Sequence, residues 1–195
     1  MAALRTGLDA LDPDGAPKAL APEPAPANDE PAPDSLSGKM TQLLDRALGQ
    51  NTRGSQVELY HHLLDQLVAD EARIIGALSD GSVSPMVNVY TWTRPRVQGQ
   101  AALENASLIG RTANVALPQM VPQYVSHLLS LGLVEKGPED TALDTEYEVL
   151  MAETSVLAAI KSASRGPISA KVDKYVLSLS GLGRSLWEAT MQGDT

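Results

Sequence analysis

The chain is 195 residues long with 43% hydrophobic content, enough for one ordinary domain with a real core and too much for a wholly disordered polypeptide. It has no cysteine, which excludes disulfides, thiolate zinc and iron–sulfur ligation and cysteine nucleophiles, and fits a reducing, cytoplasmic setting. Fifteen Lys+Arg against 24 Asp+Glu leave a net charge of −9, so the molecule as a whole repels phosphate backbones and bulk nucleic-acid binding is disfavoured. The acidic, Pro-rich start lacks the apolar run of a signal peptide, and nowhere do about 18 apolar residues follow one another. A soluble intracellular protein without a membrane span is expected.

From Met1 to Gly38 there are seven prolines and seven acids against only Arg5 and Lys18. Such a stretch cannot bury enough apolar surface to offset about 1–2 kcal/mol of ordering cost per residue, and reads as a disordered acidic arm. All seven aromatic residues lie beyond it, the first being Tyr60. The packed domain is therefore placed at residues 39–195, with a charge of 13 minus 17, or −4.

Ser37 can cap a helix from Lys39 to about Leu48 that ends at Gly49, with Met40, Leu43, Leu44 and Ala47 on one side. A second helix opens near Ser55 with Val57, Tyr60, Leu64 and Leu67 at helical spacing. Asp70 stands as N-cap of a third, carrying Ile74, Ile75 and Leu78 and stopped by Gly81. Met86 to Thr93 alternates in β-branched and aromatic residues and predicts the clearest strand. Arg94 to Gln100 reads as a polar loop, and Ala101 to Val115 as a helix with Leu103, Ala106, Ile109 and Ala113 inward. Pro118 or Pro122 can open the next helix, with Val121, Tyr124, Val125, Leu128 and Leu129 inward, a stop at Gly132 and the Schellman contact from Leu133.

Leu133 to Lys136 is followed by the turn Gly137-Pro138. Asp144 to about Ser164 predicts one long helix with Tyr147, Leu150, Met151, Thr154, Leu157 and Ala158 along one side, ended by Gly166-Pro167. Lys174 to Leu179 alternates as a strand and feeds Ser180, the N-cap of a last helix with Leu182, Leu186, Trp187 and Ala189. The domain is α+β and mostly helical, with two or three short strands.

In winged-helix proteins the third helix ends in a Leu-Gly-Leu-Val step into the first wing strand, and the returning strand enters a last helix through Leu-Ser/Thr-x-x-Gly. The segments Tyr124 to Lys136 and Tyr175 to Ala189 resemble those two steps, with an added helical insertion between the wing strands. Together with Leu67 to Leu78, Val87 to Trp92, Tyr147 to Ala152 and Leu177 to Gly183, they resemble the Abi-alpha (abortive infection alpha) family of bacterial proteins. The likeness covers most of Val57 to Ala189 and leaves the Pro-rich arm outside. It implies a winged-helix-like core and a role in phage defence, and none of its pieces is a catalytic signature.

Motifs for chemistry fail one by one. There is no Walker loop, and Gly181-Leu-Gly183 lacks the rest of a dinucleotide fingerprint, so no cofactor is expected. His61 and His62 are adjacent and point about 100° apart on a helix, so no metal site is expected. Ser126 beside His127 faces another way, and no nucleophile elbow occurs. The acids Glu139, Asp140, Asp144, Glu146 and Glu148 read as a solvated face. No catalytic residue is assigned, and the protein is read as a non-enzyme.

A winged helix invites DNA recognition, yet between Arg111 and Lys136 there is no Lys or Arg. The helix would expose Gln119, Gln123, Ser126 and Ser130, too few cations to grip a duplex. A protein-interaction module is therefore preferred over the alternative, a winged-helix DNA-binding regulator, with a homodimer as a further arrangement. Trp92, Arg94, Arg96 and Arg111 are the candidate partner contacts, since aromatics with Arg make good interface anchors, although Trp92 on a half-buried strand also reads as core.

Overall fold

The computed structural model describes residues 35–94, 97–166 and 168–192. The expected disordered arm lies outside the described residues as far as residue 34, as do Arg96 and Pro167. The chain divides into two units, Met1–Gln50 and Asn51–Thr195.

The first unit contains helix α1 (Leu36–Gly49). Its cap is Ser35, whose Oγ accepts from Gly38 N–H, so the cap lies two residues before the expected Ser37. Met40, Leu43 and Leu44 are more than half exposed.

The second unit opens with α2 (Thr52–Leu64), capped by the Asn51 side chain accepting from Gly54 N–H. Its buried residues are Tyr60 and Leu63, while Val57 and Leu64, expected inward, are exposed. Helix α3 (Ala69–Leu78) starts from Val68, not from Asp70. Asp70 already lies in the first turn and is buried, because its carboxylate has donors to meet across the fold. Ile74, Ile75 and Leu78 face the core as expected, and Gly81 takes φ +87°, the left-handed stop that glycine allows.

Strand β1 (Ser84–Arg94) turns back into β2 (Val97–Ser107), the largest departure from expectation. The residues read as a polar loop and a long helix form an eleven-residue strand, and only Ile109–Thr112 is helical (α4). The reason lies in a bulge. Val87 and Val89, two apart, sit opposite Ala106 and Leu103, three apart, and Asn105 between them has φ +57°. One inserted residue thus turns a strand's period of two into a spacing that mimics a helix. Pairing with β1 overrides the helix propensity of the Ala-Leu-Glu run.

A 3-10 turn (Pro118–Met120) leads into α5 (Val121–Ser130). Val121, Val125 and Leu128 are buried. Gly132 (φ +70°) ends the helix in a Schellman motif: Leu133 N–H bonds the Leu128 carbonyl and Gly132 N–H the Leu129 carbonyl. Strand β3 (Val134–Gly137) follows directly. The expected single helix is two, α6 (Asp144–Met151) and α7 (Thr154–Ala163). The break at Ala152 and Glu153 resets the phase, so Val156, Ala159 and Ala163 are buried while Thr154, Leu157 and Ala158 face outward. Strand β4 (Lys171–Leu179) then enters α8 (Gly181–Gln192) through Ser180, whose Oγ accepts from Gly183 N–H.

The four strands form one antiparallel sheet in the order β2-β1-β4-β3. Leu133–Lys136 and Tyr175–Leu179 come side by side as expected, with Val134 opposite Leu179 and Lys136 opposite Leu177, and α6–α7 form the excursion between them. Two cores flank the sheet. On one side Met86 and Leu177 pack with Ile74, Leu128 and Leu186 of α3, α5 and α8. On the other Val87 and Val89 pack with Tyr147, Leu150 and Val156 of α6 and α7. Alternation along β1 sends neighbours to opposite cores.

Candidate functional site

Helix α5 is positioned by two acids of α3. The Asp70 carboxylate accepts from Ala116 N–H (2.9 Å), Leu117 N–H (3.0 Å) and Arg73 Nη1 (3.0 Å). The Ala116 amide above all holds its carboxyl below the ordinary carboxylate value; burial opposes this, and Leu117, Arg73 and Tyr124 reinforce it. Tyr124 is raised in turn, first by burial and then by the Asp70 charge. Glu71, 2% exposed, accepts from Val68 N–H at the start of its own helix, and its other oxygen lies 2.8 Å from His127 Nδ1 on α5. A buried carboxylate must find such partners, and these tie both the entry and the last turn of α5 to α3.

The far end of α5 is fixed by Ser180, whose hydroxyl donates to the Gly132 carbonyl (2.6 Å) while its backbone N–H bonds the Leu133 carbonyl. The bulge supplies another tie. Asn105 N–H donates to Asn88 Oδ1, and its side-chain amide donates to Ser126 Oγ (2.8 Å). Strand β2 therefore lies against α5, leaving an open groove of about 330 Å³ lined by Ala102, Glu104, Pro122 and Gln123 among others.

The outward side of α5 and the preceding turn presents Gln119, Gln123, Ser126 and Ser130, all exposed, as the sequence reading expects. Glu104 of β2 is exposed beside them. This surface offers amides, hydroxyls and a carboxylate, and no ammonium or guanidinium.

The candidate contact residues are spread out. Trp92 is half-buried, neither core nor free, with its indole N–H donating to the Ser169 carbonyl (2.8 Å). Arg111 on α4 is exposed and pairs with Glu153 at the α6–α7 break. Arg94 is the last residue of β1, and Arg96 lies outside the described residues. What sequence reasoning missed is the α3 pair, Asp70 and Glu71; the signal was two adjacent acids beside an apolar helix face, where one must turn inward.

Tyrosine rings of β4 and α6 carry lysines. Lys136 Nζ stands 4.3 Å from the Tyr175 ring centre, and Lys174 Nζ stands 5.0 Å from that of Tyr147 and 2.9 Å from Glu139. The Glu139 carboxylate is the main cause that raises Lys174. Among the described residues there is no group of three His, Asp or Glu side chains placed to hold a metal, and no helix long and apolar enough to cross a membrane.

The architecture is that of an α+β protein whose central helix is clamped onto an antiparallel sheet. The chain belongs to the abortive infection alpha (Abi-alpha) family, whose model matches residues 6–190. That match reaches well into the Pro-rich arm, which the sequence resemblance had left outside. Among solved structures, the chain is similar to an uncharacterized protein from the hydrocarbon-degrading marine bacterium Alcanivorax borkumensis SK2. The two are 29% identical over 74% of this chain and 99% of the other, with a TM-score of 0.58. No curated protein matches the chain. Family membership points to an abortive-infection-related function.

Proposed function

We propose that this is a non-enzymatic, cytoplasmic interaction module of a phage-defence system, with a winged-helix-like core that contacts protein and not duplex DNA. The winged-helix reading rests on α3, α4 and α5 followed by the wing strands β3 and β4, and on the strand order β1-β4-β3. Strand β2 is then an added edge and α6–α7 an added excursion.

The observation that carries the protein-contact reading is the outward face of α5. It bears no cation, and β2 sets Glu104 beside it. Phosphate contacts need cations or well-aimed amides, and a carboxylate at the rim repels a backbone that those residues would have to grip. Trp92, Arg94, Arg96 and Arg111 stay candidate contacts in their own right, separate from this face.

The test is a mobility shift with random duplex at about 150 mM salt, where exposed charges are screened beyond about 8 Å. The expected result is no complex at micromolar protein; micromolar binding overturns the reading in favour of the DNA-binding regulator. Affinity purification during phage challenge supplies the positive arm. Arg94→Ala with Arg96→Ala is expected to reduce recovery of a phage-dependent partner, and unchanged recovery counts against those contacts.

A further inference from the structure

We infer that the open edge of β4 takes an extended, acidic segment of a protein partner, which adds as a strand in line with β3. The inference rests on the protein-contact reading and names where that contact is made. Strand β3 pairs only with residues 176–179 and stops at Gly137, since the next residue is Pro138, which has no N–H for a ladder. Strand β4 begins earlier, at Lys171, so among the described residues 171–175 have β1 on one side and no strand on the other. A hollow of about 520 Å³ occupies the vacated place, lined by Glu139, Val172, Asp173, Lys174 and Tyr175. Four of these are consecutive, and successive residues of a strand point to opposite faces, so the hollow lies along the edge of β4 and not on one face. The opposite edge of the sheet, β2, is bulged against β1, and bulges spoil an edge for pairing.

Charged side chains guard many edges, but here they are turned onto the protein itself. Lys171 lies 2.9 Å from Asp173 and donates to Gln98 Oε1 (2.6 Å), and Lys174 is held by Glu139 over the Tyr147 ring. Each acid of the hollow thus has its own lysine. Lys136 differs: it is exposed over the Tyr175 ring and has no carboxylate partner among the described residues. Three lysines against two acids leave this rim at +1 in a chain of −9, so a carboxylate from a partner is met locally, whereas a second copy would bring its own −9. The Tyr175 carbonyl already accepts from the Tyr147 hydroxyl (2.8 Å), and the backbone on offer is that of residues 171–174. A segment running antiparallel, like every neighbour in this sheet, sets an apolar side chain beside Val172, which packs with the α6–α7 core. Its carboxylate comes three residues earlier, beside Tyr175 and Lys136, and the odd spacing puts the two on opposite faces as Val172 and Tyr175 are.

A displayed library of random peptides of about eight residues, selected on the full chain, supplies the probe. The synthetic winner is then followed by fluorescence anisotropy and hydrogen exchange. Expected are a carboxylate three residues before an apolar residue, and exchange slowed within residues 171–174 and unchanged on α5. N-methylation of the alternate peptide amides that face β4 is expected to cost more than about tenfold in affinity, and methylation of the others to be tolerated. Lys136→Glu should weaken the peptide about fivefold, and Lys in place of its carboxylate should restore binding to that variant. Circular dichroism checks that the variant folds, and the methylated peptides test the edge in the unmutated chain. Failure to select any binding peptide overturns the proposal, as does affinity indifferent to methylation. Protection of α5 in place of β4 overturns the edge and leaves the protein-contact reading standing, whereas a duplex complex in the mobility shift sinks that reading without moving these readouts. Protection of residues 171–174 that rises with concentration in the chain alone makes the occupant a second copy, and overturns the proposal as well.

Discussion

The two sides of the sheet are covered by helices in different ways. Toward α6 and α7 the contact is almost purely apolar, built on Val87, Val89, Tyr147, Leu150 and Val156, with the Tyr147 hydroxyl spent on the Tyr175 carbonyl. Toward α5 an equally buried core is overlaid with directional bonds, from Asp70 to the turn before α5, from Glu71 to His127, from Asn105 to Ser126 and from Ser180 to Gly132. Apolar burial holds an element down without fixing its azimuth, whereas hydrogen bonds at both ends and the middle of a helix fix how it is turned. The side that presents α5 is the side whose orientation is specified.

Substitutions can break that contrast. The largest effect is expected from truncating the apolar side. Leu150→Ala should cost about 2–5 kcal/mol in urea unfolding, with no change in the exposure of α5. Gly183→Ala comes next, because a Cβ there would run into the Leu133 carbonyl oxygen at the α8 start; about 1–3 kcal/mol is expected, read from the same melts.

Asp70→Asn sharpens the comparison by acting through pH. The folded-state carboxyl sits below its ordinary value of 3.8, so its contribution is fully present above that value and is lost as pH falls through the depressed folded value. The variant should melt lower than the unmutated chain at neutral pH, and the gap should close on acidification below about pH 4. A constant gap from pH 7 down to pH 2 contradicts this account. Ser180→Ala removes a helix cap and the bond to Gly132, for about 1 kcal/mol in thermal or urea melts. Arg111→Ala is expected to cost under about 1 kcal/mol, since its ion pair with Glu153 is largely solvated on the arginine side.

What the sequence made legible follows from local signals. Gly132 and Leu133 announce a Schellman end, Gly137-Pro138 a turn, and Ser180 a cap, and these three placed β3, β4 and α8 correctly. The misread segments carry no such marks. Ala101 to Ser107 is a strand whose bulge gives Leu103 and Ala106 a helical spacing, and its identity depends on β1 beside it. The α6–α7 break has neither glycine nor proline, so nothing local reveals the shift that buries Val156 in place of Leu157. The outward residues of α5 were legible because a strong 3.6 period names its exposed face by elimination. The acids that aim α5 were not, because a buried carboxylate is defined by donors some 46 residues along the chain.

The order β2-β1-β4-β3 also bears on how the molecule is made. The central strand β1 pairs on one side with the hairpin strand that follows at once, and on the other with β4, which begins only at Lys171. During synthesis the hairpin can close early, but the inner flank of β1 has to wait for β4, within the last 25 of the 195 residues, to leave the ribosome. For that interval Val87 and Val89 have one neighbour strand instead of two, and the nascent protein offers a sticky flank to chaperones or to other unfinished chains. Helix α8, which follows β4 in the chain and sets Leu186 in the core, is the last described element to be made.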